Sequence, residues 1–284
     1  MLNSFQKYKA EALKVNVYPS TDDMATAAAT DAQKFLRAAI SVKGRAAVIL
    51  ATGNSQLQFL EKLTASNGIN WSVVTLFHMD EYLGIAADHS ASFRRYLKVH
   101  VEDKVKPLAF HYLQGDVLEP IAECQRYEAL LSSTEIDLCC MGIGENGHLA
   151  FNDPPVANFT DKAGAKIVRL DEACRKQQVG EGHFPSIDAM PQYAMTLTIP
   201  QLLNADRIQC VVPDKRKAQA VKAALNGPIT TACPASILRS QRKATLYLDS
   251  ESAGLTDFSE MTLQSDSRLQ SAVGATKELP PQNQ

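Results

Sequence analysis

Short apolar runs alternate with helical segments along most of this chain, and that alternation limits its fold more than any other feature. Leu13–Tyr18 (LKVNVY) alternates as a strand does, residues 45–51 (RAAVILA) form a short buried-strand run, and residues 71–77 (WSVVTLF) form another. Further strands are expected near 110–113, after 136, and over 165–170, 195–199, Arg207–Val212 and Ala244–Asp249. Between them lie helical stretches. The first is alanine-rich, opens on Ser20-Thr21-Asp22-Asp23 with cap and first-turn acids, and runs to about Ile40. Others cover 56–63, 90–101, 120–131, 171–178 and 214–225, with a short one over 232–239. Strand and helix in turn from end to end predict an α/β fold with a largely parallel sheet. The signal fades after about Ser250. Residues 1–250 therefore read as one domain, and 251–284, dominated by Ser, Thr, Gln, Asp and Pro, as a poorly ordered tail.

Composition excludes several classes of function. With 284 residues, 45% of them hydrophobic, the chain can bury a substantial core without staples. A net charge of −2 gives no global electrostatic case for nucleic acid or a membrane surface. The six cysteines (124, 139, 140, 174, 210, 233) are scattered and form no CxxC pair. That argues against a disulfide framework or a zinc site and for a reducing compartment. The amino-terminal stretch lacks the apolar core of a signal peptide, and no apolar run is long enough to span a bilayer. A cytoplasmic protein is expected.

Chemistry gathers where three of the strands end. Residues 141–154, MGIGENGHLAFNDP, follow a buried-strand run and bring glycines at 142, 144 and 147 together with Asn146, His148, Asn152 and Asp153. Glycine lets a ligand approach the main chain closely, and histidine moves protons near neutral pH. The Gly-x-Gly-x-x-Gly spacing invites a dinucleotide reading, but no helix opens after Gly147, and Pro154 and Pro155 stop one there. A second site is Thr52-Gly53-Asn54-Ser55, between a strand and a helix. Free N–H groups in a helix's first turn suit a phosphate, and a plain βα turn capped by Ser55 is the alternative. The third, His78-Met79-Asp80-Glu81-Tyr82, puts two acids at a strand's end. Neighbours in extended chain point opposite ways, so at most one of Asp80 and Glu81 faces a given pocket.

Taken together, these three motifs resemble those of glucosamine-6-phosphate deaminases, in the same order and with similar spacing from about residue 13 to 250. The related 6-phosphogluconolactonases share a glycine-rich Gly-His loop, but His148-Leu149-Ala150-Phe151-Asn152-Asp153-Pro154 follows the deaminase pattern. The resemblance implies a Rossmann-like, open, largely parallel sheet of the deaminase/lactonase type, with helices on both faces. It also implies an aldose–ketose isomerisation coupled to loss of ammonia, with no metal and no organic cofactor. In that reading Asp80 is the base at C2, His148 the proton shuttle for ring opening, and Asn146 and Asp153 orient His148. Thr52, Gly53, Asn54, Ser55, Gly142 and Lys217 hold the phosphate. Lys215 and Arg216 remain alternatives to Lys217.

The chain departs from the family in places. Many members carry aspartate at the position of Asn146, glutamate at that of Asp153, and a phosphate-binding arginine near 178–184, where this chain has Gln-Val-Gly-Glu-Gly-His-Phe. Gly180 and Gly182 there suggest a mobile flap, with Glu181 or His183 as a substitute contact. The partner implied is a small amino-sugar phosphate, and homo-oligomers occur in the family. Residues 155–166 do not match the effector site of hexameric members, so no regulation by an N-acetylated sugar phosphate is expected. A lactonase-like or other sugar-phosphate hydrolase or isomerase, or a non-catalytic sugar-phosphate sensor, are the alternatives. A sensor would be expected to lose Asp80 or His148, and a lactonase needs no base at residue 80.

Overall fold

The apolar runs assemble into a nine-stranded sheet in the computed structural model, which describes residues 5–264. The strands are β1 (Gln6–Ala10), β2 (Leu13–Tyr18), β3 (Ala46–Leu50), β4 (Val74–His78), β5 (Asp80–Tyr82), β6 (Ala109–His111), β7 (Leu138–Met141), β8 (Ala165–Arg169), β9 (Tyr193–Leu197), β10 (Arg207–Val212), β11 (Ala244–Asp249) and β12 (Thr262–Leu263). The helices are α1 (Thr21–Lys43), α2 (Leu57–Ala65), α3 (Phe93–Leu97), α4 (Asp103–Val105), α5 (Pro120–Ser132), α6 (Glu172–Gly180), α7 (Ile199–Leu202) and α8 (Ala218–Asn226). Ser20 caps α1 by accepting from the Asp23 N–H at 3.1 Å, and Gly44 ends it in a left-handed conformation at φ 71°.

The main sheet runs β12-β1-β2-β11-β10-β7-β3-β4-β6, and every pairing from β2 to β6 is parallel. The parallel strands therefore all finish at one edge. Because β7 lies between β10 and β3, and β4 flanks β3, four carboxyl ends stand side by side. In open α/β sheets that edge is where ligands bind.

Helices cover both faces, as expected. All five residues of β3 are buried, and their side chains alternate between two cores. Ala47 and Ile49 pack with Tyr127 and Leu131 of α5 and Val221 and Leu225 of α8. Val48 and Leu50 pack with Ala28, Ala32 and Leu36 of α1 and Phe59, Leu60 and Leu63 of α2. Burying one such large aliphatic or aromatic side chain contributes roughly 1.5–3 kcal/mol, which explains the uninterrupted apolar sequence of a central parallel strand.

A second sheet, β5-β9-β8, is antiparallel throughout and stands apart from the first. The runs at 165–170 and 195–199, read as strands of one alternating series, belong here. A period-two pattern identifies a strand but not its partner. The chain passes between the sheets at Met79, whose carbonyl accepts from the Leu197 N–H at 2.8 Å. Asp80 is thus the first residue of a new strand and not a loop residue beyond β4.

The sheet holds a strand at each end of the chain that the sequence does not predict. β1 precedes the expected first strand and forms a hairpin with it. The presumed tail does not begin at 251. Ala253 is buried, the Phe258 ring stacks on Tyr8 with centroids 4.4 Å apart, and β12 pairs with β1. Residues 265–284 of that expected tail lie outside the described residues. Among the described residues no helix is long and apolar enough to cross a membrane.

Candidate active site

The four adjacent strand ends open onto a cleft of about 580 Å³, its mouth included. β3 delivers Thr52, Gly53 and Ser55 to its wall, β4 delivers Met79 and Asp80, β7 delivers Gly142, Gly144 and His148, and β10 delivers Lys217. Asp80, His148 and Lys217 are 6%, 9% and 4% exposed, so three ionisable groups meet with little water around them.

Asp80 and Glu81 point opposite ways, as adjacent strand residues must. Asp80 lines the cleft, and its Oδ1 is buried with no hydrogen-bond partner among the described residues. Burial, with the neighbouring Glu81 charge, pushes its pKa well above the usual carboxylate range. Glu81 faces inward and accepts from the N–H groups of Tyr82, Phe93 and Arg94 and from the Ser92 hydroxyl, at 2.8–3.1 Å. It thereby ties the start of α3, and Phe93 of the cleft wall, to the strand that carries Asp80. His78 is buried and neutral. Burial, helped by the Arg94 charge, lowers its pKa to about 3, and its Nε2 accepts from the Leu113 N–H at 2.7 Å.

The glycine loop after β7 holds the imidazole. Nδ1 of His148 lies 2.9 Å from Oδ1 of Asp153, leaving Nε2 as the second ring nitrogen. Asp153 is fully buried. Burial alone would raise its pKa, but the bonds with His148, the Asn146 amide and the Asp171 N–H outweigh that and hold it below the usual value. Asn146 acts on the carboxylate and not on the ring. Its Nδ2 donates to Asp153 Oδ1 at 2.9 Å, and its Oδ1 accepts from the His148 N–H at 3.1 Å. Asn146 therefore reaches His148 only through the Asp153 carboxylate and the loop backbone. Neither Asn146 nor Asp153 lines the cleft. Asn152 also serves the loop, its amide donating to the carbonyls of Leu149 and Leu197 at 2.9 and 2.8 Å.

Gly144 is required by the ring itself. A Cβ at that position would lie 2.1 Å from Cε1 and Nε2 of His148. Gly144→Ala should displace the imidazole, and a displacement of about an ångström in an active site can lower kcat by about 10²-fold. A variant that turns over at the wild-type rate would show that the ring position is unimportant.

The Thr52–Ser55 turn enters the cleft with one exception. Thr52, Gly53 and Ser55 line it, whereas the exposed Asn54 side chain borders an adjoining cavity. Ser55 is not a helix cap. A short 3₁₀ turn, 54–56, precedes α2, and no side chain caps either. Gly53 sits at φ 96°, and its carbonyl accepts from the Tyr96 hydroxyl at 2.9 Å. Of the three clustered cations, only Lys217 lines the cleft. Arg216 is exposed, pairs with Asp214 at 3.1 Å and borders the adjoining cavity, and Lys215 is exposed. Burial lowers the pKa of Lys217.

Gln177, Gln178 and Glu181 of the α6 segment close the cleft's remaining side. Sequence reasoning named Glu181 only as a substitute contact and passed over both glutamines, which stand in a charged helix with no motif around them. Tyr82 donates its hydroxyl to Gln178 at 3.0 Å, so the second sheet positions this wall. Among the described residues His148, Asp153 and Cys174 place nitrogen, oxygen and sulfur donors within 4.8 Å of one another. A metal ion there would use the same Asp153 carboxylate that holds the imidazole and Asn146.

Residues 19–247 match the family model described as glucosamine-6-phosphate isomerases/6-phosphogluconolactonase. The glucosamine-6-phosphate deaminase of Exiguobacterium sibiricum is 34% identical over 206 residues, covering 72% of this chain and 79% of the relative. That of Listeria innocua is 32% identical, covering 72% and 86%. A solved monomeric glucosamine-6-phosphate deaminase superposes with a TM-score of 0.78 at 29% identity, covering 85% of this chain and 99% of its own. A 6-phosphogluconolactonase from Shewanella baltica, at 20% identity and a TM-score of 0.68 over 83% and 96% of the two chains, shares the fold. With a family model spanning the sheet from α1 to β11 and relatives above 30% identity, this chain belongs to the glucosamine-6-phosphate isomerase/6-phosphogluconolactonase family.

Proposed function

We propose that this protein deaminates an amino-sugar phosphate, converting glucosamine 6-phosphate and water to fructose 6-phosphate and ammonia. One observation carries the reading: Asp80 and His148 open onto the same cleft that Lys217 and the Thr52-Gly53-Ser55 turn line. The phosphate lies against that turn with Lys217 as counter-charge, beside Gly142, and the sugar extends toward the two proton-transfer groups. His148, steadied at Nδ1 by Asp153, takes the anomeric hydroxyl proton and supplies one to the ring oxygen. Asp80 removes the C2 proton from the open chain and returns a proton at C1. C1 is reduced as C2 is oxidised to an imine, so no external oxidant enters. Water adds at C2 and ammonia leaves. The six cysteines, all free and buried, support a reducing, cytoplasmic setting.

A coupled assay for ammonia release from glucosamine 6-phosphate tests the reading. Hydrolysis of 6-phosphogluconolactone without ammonia release from any amino sugar would replace it with a lactonase, and binding without turnover with a sensor.

The raised pKa of Asp80 has a kinetic consequence with a definite sign. A base works only when ionised, so kcat/KM falls as pH drops through the free-enzyme pKa of Asp80. The acid limb should therefore stand above the ordinary aspartate value of about 4. A limb at that ordinary value in a pH–rate profile would point to a different base.

A further inference from the structure

Lys217 does not face the cleft alone. Its Nζ lies 3.9 Å from Oε1 of Glu181, and the two side chains are 5% and 6% exposed. Gln177 donates to the same Oε1 at 2.9 Å, and Oε2 lies 3.4 Å from Nε2 of His183. Glu181 borders both the cleft and the adjoining cavity, so the Glu181–Lys217 pair stands in the wall between them. Burial would raise the Glu181 pKa, but His183, the Lys217 charge and Gln177 outweigh it and keep the carboxyl below its usual value. It is therefore ionised at neutral pH. One lysine and one carboxylate sum to no net charge at the place where a phosphate ester, close to a dianion at neutral pH, has to bind. An ionised carboxylate this near would repel such a ligand strongly in a poorly hydrated site.

We propose that Glu181 is the internal occupant of the anion site, exchanged for the substrate's phosphate on binding, and that this exchange decides which anions the site accepts. The inference rests on Lys217 being the phosphate's counter-charge. His183 offers the displaced carboxylate another partner, so Glu181 need not be left bare. A singly charged ligand only replaces one carboxylate's attraction for Lys217 with another of the same size. A dianion gains more from the lysine than the departing carboxylate loses. The site thereby selects doubly charged phosphate esters over sulfate esters and carboxylates of similar shape.

The test is titration calorimetry at pH 8 with methyl phosphate and methyl sulfate on the wild type and on Glu181→Gln, Glu181→Asp and Lys217→Ala. Glu181→Gln should bind methyl phosphate about tenfold more tightly than the wild type, while Glu181→Asp, which keeps the charge, should not. The wild type should prefer methyl phosphate to methyl sulfate. Unchanged or weaker methyl phosphate binding by Glu181→Gln overturns the proposal, as does equal binding of the two esters by the wild type. The underlying reading fails separately: Lys217→Ala binding methyl phosphate as well as the wild type removes Lys217 from the phosphate site. Loss of binding in Lys217→Ala with no change in Glu181→Gln sinks the exchange alone.

Discussion

Asp80→Asn should lower kcat by about 10³-fold while leaving the affinity for methyl phosphate within twofold of the wild type. Positioned general bases contribute roughly 10²–10⁴-fold, and the amide has nearly the same shape but cannot take a proton. Asp80 opposes Thr196 in the second sheet, and an asparagine keeps that backbone pairing. The fold should not suffer either. Burial raises the Asp80 pKa, so the native protein holds this proton more tightly than the unfolded chain does. Its contribution to stability consequently declines as pH rises from the unfolded-chain value toward the raised native one, and the buried carboxyl costs stability once it has to ionise. Asn should leave the unfolding midpoint unchanged or slightly higher. Loss of turnover together with a lower midpoint would show that Asp80 is a structural residue; full activity would remove it from the chemistry.

The adjacent acid has the opposite character. Glu81→Ala should destabilise the protein by about 3–5 kcal/mol, since each buried donor left without an acceptor costs roughly 1–3 kcal/mol. Glu81 is 0% exposed, and the Arg94 guanidinium, with Nε 3.4 Å from Oε2, is 6% exposed. Its loss strands three backbone N–H groups and the Ser92 hydroxyl, whereas Arg94 keeps Gln114, Asp116 and the Ile85 carbonyl as partners. For a domain of this size that corresponds to a fall in Tm on the order of 10 °C. Urea unfolding with an unchanged m-value measures it directly. Glu81→Gln should fall between the two, because it keeps the shape and some acceptors but not the charge. A change below 1 kcal/mol in Glu81→Ala would mean that the start of α3 is held by its apolar contacts instead. Two neighbouring carboxylates thus face the cleft and the interior respectively because a strand turns them to opposite sides.

Much of the site was legible because its signals are local. Buried parallel strands announce themselves as apolar runs, and in a parallel sheet each run's carboxyl end is by construction at the binding edge. Thr52-Gly53 and Asp80 stand just past the end of such a run and His148 lies in the loop that follows one, and the structure brings them to one cleft. The opposed directions of Asp80 and Glu81 followed from strand geometry alone. The left-handed conformation of Gly147, at φ 84°, is likewise a property its residue type allows.

The rest depends on pairings between distant residues, which no local pattern encodes. β12 is a two-residue edge strand, and β1 (QKYKA) beside it carries polar residues and one small apolar one, so neither shows a buried period; only the surface of β2 and the Tyr8–Phe258 stack bring them into register. β8 and β9 have ordinary strand patterns, yet the break at Met79 draws β5 out of the main sheet to meet them. The roles of Asn146 and Glu181 belong to the same class. One bonds a carboxylate seven positions on, and the other faces a lysine delivered by β10. Residue types and their spacing determined the strands, the helices and the chemistry available at their ends. Which charges oppose one another was decided only when the folded chain excluded water from between them, since attraction or repulsion there depends on distance and burial and not on order along the chain.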